Sequence, residues 1–110
     1  DTFDATRCNC DSLRRGDTTP VGIFLNGASP YGVLDLSGNV WEWTRSIYKD
    51  YPYNPNDGRE ELDSTDARVL RGGAFYYNDY DVRCAFRLGY GPDDRSWYGG
   101  FRVVLSRAPA

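Results

Sequence analysis

No run of ten residues in this chain carries the apolar stripe of an amphipathic helix. Short apolar runs appear instead, separated by turns rich in Gly and Asn. A chain of 110 residues makes one domain at most, so these features predict a single β domain that is rich in loops. The predicted strands lie at residues 21–24, 40–43, 69–71, 82–86 and 101–105.

The segment between the second and third predicted strands has a different composition. Residues 51–66 are rich in Pro, Asn, Asp and Glu, which predicts a long surface loop within the range 45–67. Irregular backbone of this length must satisfy its N–H and C=O groups, so we expect a bound cation, paired loops or a second chain segment to help.

Charge and composition narrow the classes of function. The net charge of −3 and a single lysine, Lys49, argue against nucleic-acid binding, which needs clustered basic side chains. No apolar stretch approaches the length of a membrane span. The first residue is Asp1, not Met, so we expect the chain to start inside a longer product. Aromatic residues make up 15% of the chain, which suits either a small ring-filled core or a recognition surface.

The three cysteines, Cys8, Cys10 and Cys84, do not form a framework of disulfide bonds. Their number is odd, and the single residue between Cys8 and Cys10 would strain a direct bond. The chain has no histidine to complete a zinc site. The sequence predicts reduced thiols, with Cys84 as a small core residue.

Three segments carry a specific resemblance to a known family. Residues 26–44 read NGASPYGVLDLSGNVWEWT, residues 68–75 read RVLRGGAF, and residues 100–104 read GFRVV. Their order and spacing resemble those of the formylglycine-generating, or sulfatase-modifying, family. The resemblance implies an α+β fold that is β-dominated and loop-rich. This fold is a variant of the C-type lectin fold with a twisted antiparallel sheet and long ordered loops. The resemblance also implies that residues 1–110 are the C-terminal part of such a domain, completed by an N-terminal companion segment or chain.

The resemblance implies a structural calcium ion in the loop from Asp35 to Glu42. Asp35 and Glu42 would supply carboxylates, while Gly38 and Val40 would supply backbone carbonyls. This donor set suits calcium, a hard cation that takes six to eight oxygen ligands. Without the family pattern, Asp35 could instead cap a turn and Glu42 could pair with an arginine. A second family site would lie near Asn9, with Asp11 as a further candidate ligand.

Enzymes of this family oxidise a sulfatase cysteine to formylglycine, using two copper-binding cysteines shortly after the RGGSF block. Residues 74–83 contain no cysteine here, and Cys84 belongs to the next segment. Two thiolates suit soft Cu(I) and oxygen ligands do not replace them, so we expect neither copper nor oxidase activity. A formylglycine-generating oxidase completed by other residues is one alternative, and a structural scaffold fragment is another.

Residues 75–98 contain eight of the seventeen aromatic side chains, interleaved with family-like scaffold residues. This layout resembles the variable region of diversity-generating retroelement proteins, several of which use this branch of the C-type lectin fold. The resemblance implies a non-catalytic binding module whose variable region spans 71–105 and contacts a protein ligand through the 76–98 surface. The predicted ligand-binding residues are Tyr76, Tyr77, Tyr80, Asp81, Phe86, Leu88, Tyr90, Ser96, Trp97 and Tyr98.

Four further residues of the three motifs are predicted to be structural. Trp41 and Trp43 alternate along a strand and therefore point to one face, where we expect both to join the core. Arg71 and Arg102 lie beside glycine-rich or core segments, and we expect them to form structural ion pairs.

Overall fold

A computed structural model describes residues 2–107. Three short 3-10 helices precede the strands, at Ala5–Arg7, Asp11–Leu13 and Leu25–Gly27. No α-helix occurs between residues 2 and 107, and none of the helices there is long or apolar enough to cross a membrane. The four strands are β1 (Trp41–Ile47), β2 (Arg68–Arg71), β3 (Arg87–Tyr90) and β4 (Gly99–Gly100).

The strands form one sheet in the order β3-β2-β1-β4. β1 pairs with β2 and β2 with β3 in antiparallel fashion, while β4 lies parallel to β1. The register of the β1–β2 pair is interrupted between Trp43 and Ile47, as at a β-bulge. The sheet therefore joins the 26–44 segment to the RVLRGG segment at its centre.

The strand predicted at 69–71 is confirmed within one residue, and the strand predicted at 40–43 is confirmed at its start but ends four residues later than predicted. The other three predictions are wrong in position or in kind. Residues 21–24 form no strand, and the strands predicted at 82–86 and 101–105 appear at 87–90 and 99–100. β1 also runs three residues into the range assigned to the 45–67 loop. The physical reason is that an apolar run reports burial, and residues such as Val82 are buried by loop packing without strand pairing.

Trp41 is the centre of the main core. Its side chain is fully buried and packs with Leu70 from β2 and with Ala74. Trp43 packs against the same cluster and is half-buried, so both tryptophans contribute to the core as predicted. A second, smaller cluster joins Cys8, Cys10 and Val82.

Two buried guanidinium groups order the loop between β1 and β2. Arg68 donates to four backbone carbonyls, at distances of 2.6 to 3.2 Å. Arg59 forms an ion pair with Asp57 at 2.7 Å and donates to two further carbonyls of the loop. Two arginine side chains thus satisfy part of the irregular backbone, for which a cation, paired loops or a second segment was expected. The carbonyls that Arg68 binds belong to Arg45, Glu61, Leu62 and Ser64.

Candidate functional site: an aromatic face and an acidic groove

Ten aromatic rings form one connected cluster, which we call the aromatic face. Nine pairs of rings have centroids between 5.1 and 6.5 Å apart, a range typical of edge-to-face and tilted contacts. A hydrogen bond between the hydroxyls of Tyr90 and Tyr98 completes the connection. The members are Trp41, Trp43, Phe75, Tyr76, Tyr77, Tyr80, Phe86, Tyr90, Trp97 and Tyr98.

Three of these rings are exposed to solvent. Tyr76, Tyr80 and Trp97 expose between 59% and 68% of their surface. Trp97 lies over the buried ring of Phe75 at 5.3 Å and beside Tyr76 at 6.4 Å. Buried or half-buried rings thus support the exposed ones from below, which limits the orientations that the exposed rings can adopt.

Tyr80 is supported from two sides. Its ring contacts Phe86 at 5.6 Å, and the guanidinium of Arg83 lies 3.8 Å from its centroid. Arg83 also donates through Nε to the Tyr80 carbonyl at 2.9 Å, which fixes the arginine itself. Arg83 is not among the predicted ligand-binding residues. Its three-residue spacing from Tyr80 is the only signal that could have indicated this cation–π contact.

The predicted ligand-binding residues differ in how deeply they are buried. Five of the ten are partly buried and pack against the Trp41 core, so only part of the predicted set is available on the surface. Leu88 and Tyr90 do so because they belong to β3, in the sheet. Asp81 and Ser96 are half-buried and lie outside that core cluster. The five core-packed residues are Tyr77, Phe86, Leu88, Tyr90 and Tyr98.

Three tyrosine hydroxyls give this face a polar centre. The hydroxyls of Tyr90 and Tyr98 lie 3.0 Å apart. Burial raises the pKa of Tyr77 to about 12, whereas the hydrogen bond from Tyr90 lowers the pKa of Tyr98. These hydroxyls can donate and accept hydrogen bonds toward a bound polar group.

All four predicted calcium-binding residues line one open groove with a volume of about 440 Å³, which we call the acidic groove because Asp35 and Glu42 lie in it. Asp35 lies in the left-handed region at a φ of 57°, and its Oδ2 accepts a hydrogen bond from the Gly22 backbone N–H at 2.7 Å. Apolar side chains, including Val21 and Phe101, line the same groove. The structure therefore brings together the residues that the family pattern singled out. They are Asp35, Gly38, Val40 and Glu42.

Arg102 occupies part of this groove and binds three of its oxygen atoms. It donates to a Glu42 carboxylate oxygen at 2.7 Å and to the backbone carbonyls of Leu34 and Asp35 at 2.8 and 2.9 Å. The ion pair predicted for Arg102 is thus confirmed, whereas Arg71 donates only to carbonyls of the 85–86 backbone. Nowhere in residues 2–107 do three or more His, Cys, Asp or Glu side chains form a group able to hold a metal ion. A calcium ion in the groove would depend on two carboxylates and on backbone carbonyls.

Asn9 is buried beside the same loop. Its Nδ2 donates to the Asp17 carbonyl at 2.9 Å, and its backbone carbonyl accepts the Asn39 N–H at 2.8 Å. Its side-chain oxygen Oδ1 is buried and has no hydrogen-bond partner in residues 2–107. An unpartnered buried oxygen is a fitting ligand for a hard cation. Asp11, the other candidate of this second site, is exposed.

The cysteines divide into a buried pair and an exposed single residue. Cys8 and Cys10 are buried free thiols that pack with Val82, and burial raises the pKa of the Cys8 thiol to about 12. Cys84 is also free, but it is exposed, so the prediction that it is a core residue is wrong. It lies in a turn within residues 79–85, outside the sheet.

Thiol titration with Ellman's reagent should distinguish these environments. Only thiolates react, so Cys84 should react within minutes in the native protein, while Cys8 and Cys10 should react only after unfolding. We expect one equivalent of thiol in buffer, three in guanidinium chloride, and close to none in buffer for Cys84→Ser. Rapid reaction of three thiols in the native wild type would contradict the described packing.

The chain is similar in sequence to several curated proteins. The chain is 36% identical over 93 residues to hercynine oxygenase of Mycolicibacterium smegmatis, covering 77% of this chain and 22% of that protein. It is also 36% identical over 93 residues to the inactive C-alpha-formylglycine-generating enzyme 2 of Mus musculus, covering 80% and 26%. The chain thus spans about a quarter of the length of these curated relatives.

Two solved structures share the architecture. PvdO from Pseudomonas aeruginosa superposes with a TM-score of 0.74 and 26% identity, over 92% of this chain and 40% of that one. Variable protein 1 of Treponema denticola superposes with a TM-score of 0.69 and 24% identity, over 87% and 34%, which shows a shared fold. The model of the sulfatase-modifying factor enzyme 1-like domain matches residues 3–107. The chain therefore belongs to this family of domains, and its β-dominated, loop-rich architecture is the corresponding variant of the C-type lectin fold.

Proposed function

We propose that this chain is a non-catalytic binding module that contacts a protein ligand through its aromatic face. The observation that supports this most is the exposure of Tyr76, Tyr80 and Trp97 on a base of packed rings. Tyrosine and tryptophan are the side chains that dominate binding energy at protein interfaces. Tyr76 and Trp97 are adjacent, and Tyr80 belongs to the same ring cluster through Phe86. Exposed apolar rings of this kind mark interaction sites.

The rings that pack beneath the exposed side chains favour binding, because they lower the conformational entropy that those side chains lose when a ligand binds. Trp97 rests on Phe75, and Tyr80 is held between Phe86 and Arg83. Freezing a free side chain at an interface costs about 0.5–1.5 kcal/mol, and a ring that is already held avoids part of that cost. The hydroxyls of Tyr90 and Tyr98 add hydrogen-bonding groups next to the apolar patch.

The same arrangement would allow the face to be diversified. Side chains at exposed positions can change without disturbing the core, so we propose Tyr76, Tyr80 and Trp97 as the variable positions of a retroelement-type repertoire, on a scaffold that includes Trp41. The core-packed members of the 76–98 segment would tolerate only conservative changes. Deep sequencing of this coding segment across a population should find substitutions concentrated in the three exposed codons. An even spread over exposed and buried codons would contradict diversification.

Neither a copper-dependent oxidase nor a plain scaffold explains this arrangement as well. Residues 74–83 lack the cysteines that the resemblance requires, and the buried pair of Cys8 and Cys10 packs with Val82. The relatives include a protein named as an oxygenase and one named as inactive. The family therefore accommodates both outcomes, and for this chain the exposed rings favour binding.

Peptide phage display tests the proposed binding face without knowledge of the natural ligand. A library of random heptapeptides is panned on the immobilised chain, because such libraries sample the chemistry of protein ligands. The enriched peptides should bind the double variant Tyr76→Ala/Trp97→Ala at least tenfold more weakly, since each truncated aromatic anchor costs about 1 kcal/mol or more.

Tyr31 supplies the matched control. It is an exposed tyrosine that belongs to none of the ring contacts of the aromatic face. Tyr31→Ala should leave binding of the same peptides unchanged. The proposal fails if the enriched peptides bind the double variant as tightly as they bind the wild type.

We further propose that calcium stabilises the loop that carries Asp35 and Glu42. Asp35 and Glu42 would supply carboxylate oxygens, and Gly38 and Val40 would supply carbonyls, all from the walls of one groove. Arg102 already places a positive charge on Glu42, so an ion would share that carboxylate or displace the guanidinium. The unpartnered Asn9 oxygen supports a second, weaker site nearby.

Thermal unfolding with and without calcium tests this part of the proposal. At a calcium concentration 100 times the dissociation constant, binding adds about 2.7 kcal/mol to the free energy of unfolding. In a small domain each kcal/mol raises Tm by roughly 4–8 °C, so EDTA should lower Tm by roughly 10 °C or more. Asp35→Asn keeps an oxygen for the Gly22 N–H but removes the charge, so it should abolish the calcium effect and leave Tm in EDTA nearly unchanged. Equal Tm values with calcium and with EDTA in the wild type would argue against the ion.

A further inference from the structure

Three arginines line a small cavity between the sheet and the loop that follows β1. The cavity has a volume of about 190 Å³, and Arg59, Arg71 and Arg87 form its walls together with the rings of Tyr51 and Tyr53. We call this cavity the arginine pocket. Its remaining lining residues are Thr44, Ser46, Ile47 and Val69.

The arginine pocket lies on the face of the sheet opposite the Trp41 core. Leu70 of β2 and Leu88 of β3 both pack in that core. Their sequence neighbours Arg71 and Arg87 therefore point to the other face, because successive side chains of a strand alternate. A ligand in the arginine pocket would be separated by the sheet from the exposed rings of the aromatic face.

The two strand arginines carry like charges at directly opposite positions. Arg71 of β2 pairs in register with Arg87 of β3, an arrangement in which like charges repel. Within residues 2–107, neither guanidinium forms an ion pair with a carboxylate. Glu42 lies opposite Arg71 on β1, but its carboxylate binds Arg102. The sheet thus holds two adjacent positive charges without a counter-ion from the described part of the chain.

Both guanidinium groups keep free hydrogen-bond donors. Arg71 donates through Nη1 to the carbonyls of Ala85 and Phe86 at 3.2 and 3.4 Å. Arg87 donates through Nη1 to the Lys49 carbonyl at 2.8 Å. The Nε and Nη2 atoms of both arginines have no acceptor in the part of the chain that the structure describes. Such forked donors fit the oxygen atoms of an oxyanion.

The walls of the arginine pocket are ordered without a ligand. The guanidinium of Arg87 lies 4.1 Å from the ring centroid of Tyr51 and 4.8 Å from that of Tyr48. Arg59 is buried, and its guanidinium lies 5.0 Å from the ring centroid of Tyr53. These stacked contacts fix the charged groups in advance, which lowers the entropic cost of binding an anion.

The carboxylates near the arginine pocket are bound by other groups. Asp57 pairs with Arg59 at 2.7 Å, while Glu60 pairs with Arg45 at 3.2 Å and accepts a hydrogen bond from the Ser46 hydroxyl. Neither Asp57 nor Glu60 lines the pocket. Only one of the three lining arginines is therefore neutralised, and two positive charges remain uncompensated.

We propose that the arginine pocket binds a phosphate group, either as free phosphate or as a phosphate monoester. Two uncompensated guanidinium charges match the charge of about −1.5 to −2 on a phosphate group near neutral pH. The volume of about 190 Å³ exceeds what a phosphate group alone occupies. The rings of Tyr51 and Tyr53 would contact an attached organic group. This site is additional to the proposed binding of a protein ligand by the aromatic face.

Isothermal titration calorimetry with sodium phosphate tests the proposal on the complete natural polypeptide that contains these residues. At an ionic strength held constant with sodium chloride, we expect saturable binding of one phosphate per chain, with a dissociation constant of about 1 mM or less. Arg71→Gln and Arg87→Gln each keep an N–H donor for the backbone carbonyls but remove a charge. Each should weaken phosphate binding at least tenfold, because hydrogen bonds between charged groups are the stronger ones.

Arg15→Gln is the control matched in charge. Arg15 is exposed and lies outside the pocket, so its replacement should leave phosphate binding unchanged. Absence of saturable binding to the wild type would overturn the proposal. Equal weakening by all three variants would do so too, because it would indicate a general effect of net charge.

A measurement on the wild type locates the site without a substitution that could unfold the chain. The NMR signals of the Nε–H groups of Arg71 and Arg87 should shift when inorganic phosphate is added, and that of Arg15 should not. Shifts confined to other arginines would contradict a phosphate site in the arginine pocket.

Phenyl phosphate distinguishes the two sources of the phosphate group. Binding tighter than that of inorganic phosphate would identify a monoester whose organic group contacts the tyrosines, whereas equal or weaker binding would identify free phosphate. Either result supports a phosphate site if Arg71→Gln weakens it. No peptide ligand enters these measurements, so this proposal and the proposed function of the aromatic face can fail independently.

Discussion

Replacing Trp41 with alanine should lower the free energy of unfolding by about 3–5 kcal/mol, the usual cost of removing a large buried aromatic side chain. Trp41 is fully buried, packs with Leu70 and Ala74, and contacts the rings of Tyr77 and Phe86 at 5.1 and 5.9 Å. Domains of this kind have only about 5–15 kcal/mol of stability in total. We therefore expect Trp41→Ala to unfold at a much lower urea concentration and temperature than the wild type, as measured by circular dichroism.

Two comparisons make this result specific. The indole Nε1 of Trp41 has no hydrogen-bond partner in residues 2–107, so Trp41→Phe should lose only part of the packing and remain folded. Trp97→Ala removes an exposed tryptophan and should change the free energy of unfolding by much less, while weakening peptide binding. If Trp97→Ala proved as destabilising as Trp41→Ala, Trp97 would be part of the structural core and not of an exposed binding surface.

The second large effect is expected at Gly38, in the loop before β1. Gly38 has a φ of 78°, and a Cβ placed there would collide with the backbone carbonyl of Asn9. The left-handed conformation alone costs a residue with a Cβ roughly 1–2 kcal/mol. Steric overlap with backbone adds roughly 1–3 kcal/mol or more, because backbone cannot rotate away as a side chain can. Gly38→Ala should therefore lower the free energy of unfolding by about 2–5 kcal/mol in urea denaturation.

Gly32 provides the matched control for this substitution. Its φ is 80°, close to that of Gly38, but no atom lies within 4 Å of the position that a Cβ would take. Gly32→Ala should show the conformational cost alone, roughly 1–2 kcal/mol. The difference between the two variants measures the close approach of the Asn9 backbone. Equal losses of stability would show that this approach relaxes at little cost.

Two of the three motifs predict the central strands of the sheet. Segment 40–43 contains the first residues of β1 and segment 69–71 lies within β2, and most residues of these strands are buried or half-buried. The outer strands are harder to predict because their apolar residues also pack in loops. Val82 is buried against Cys8 and Cys10 without belonging to any strand. An apolar run carries no information about which backbone groups find a pairing strand.

The candidate sites were predicted to different extents for a similar reason. Asp35 and Glu42 are near neighbours in sequence, and their position in one groove follows from the local loop. The role of Arg102 depends on an ion pair that spans sixty residues, and no local pattern specifies its partner. The prediction for Cys84 is wrong because small apolar side chains are usually buried, whereas this one lies in an exposed turn.

The way in which Arg68 holds the loop between β1 and β2 bears on how that loop can change in evolution. Its guanidinium binds oxygen atoms of the main chain, which every amino acid carries, and none of these contacts involves a side chain of residues 61–64. New residues can therefore replace those side chains while the path of the backbone is kept. Arg68 therefore fixes the backbone path of this surface loop independently of its side chains. Related proteins can carry different side chains in the loop while its backbone keeps the same position.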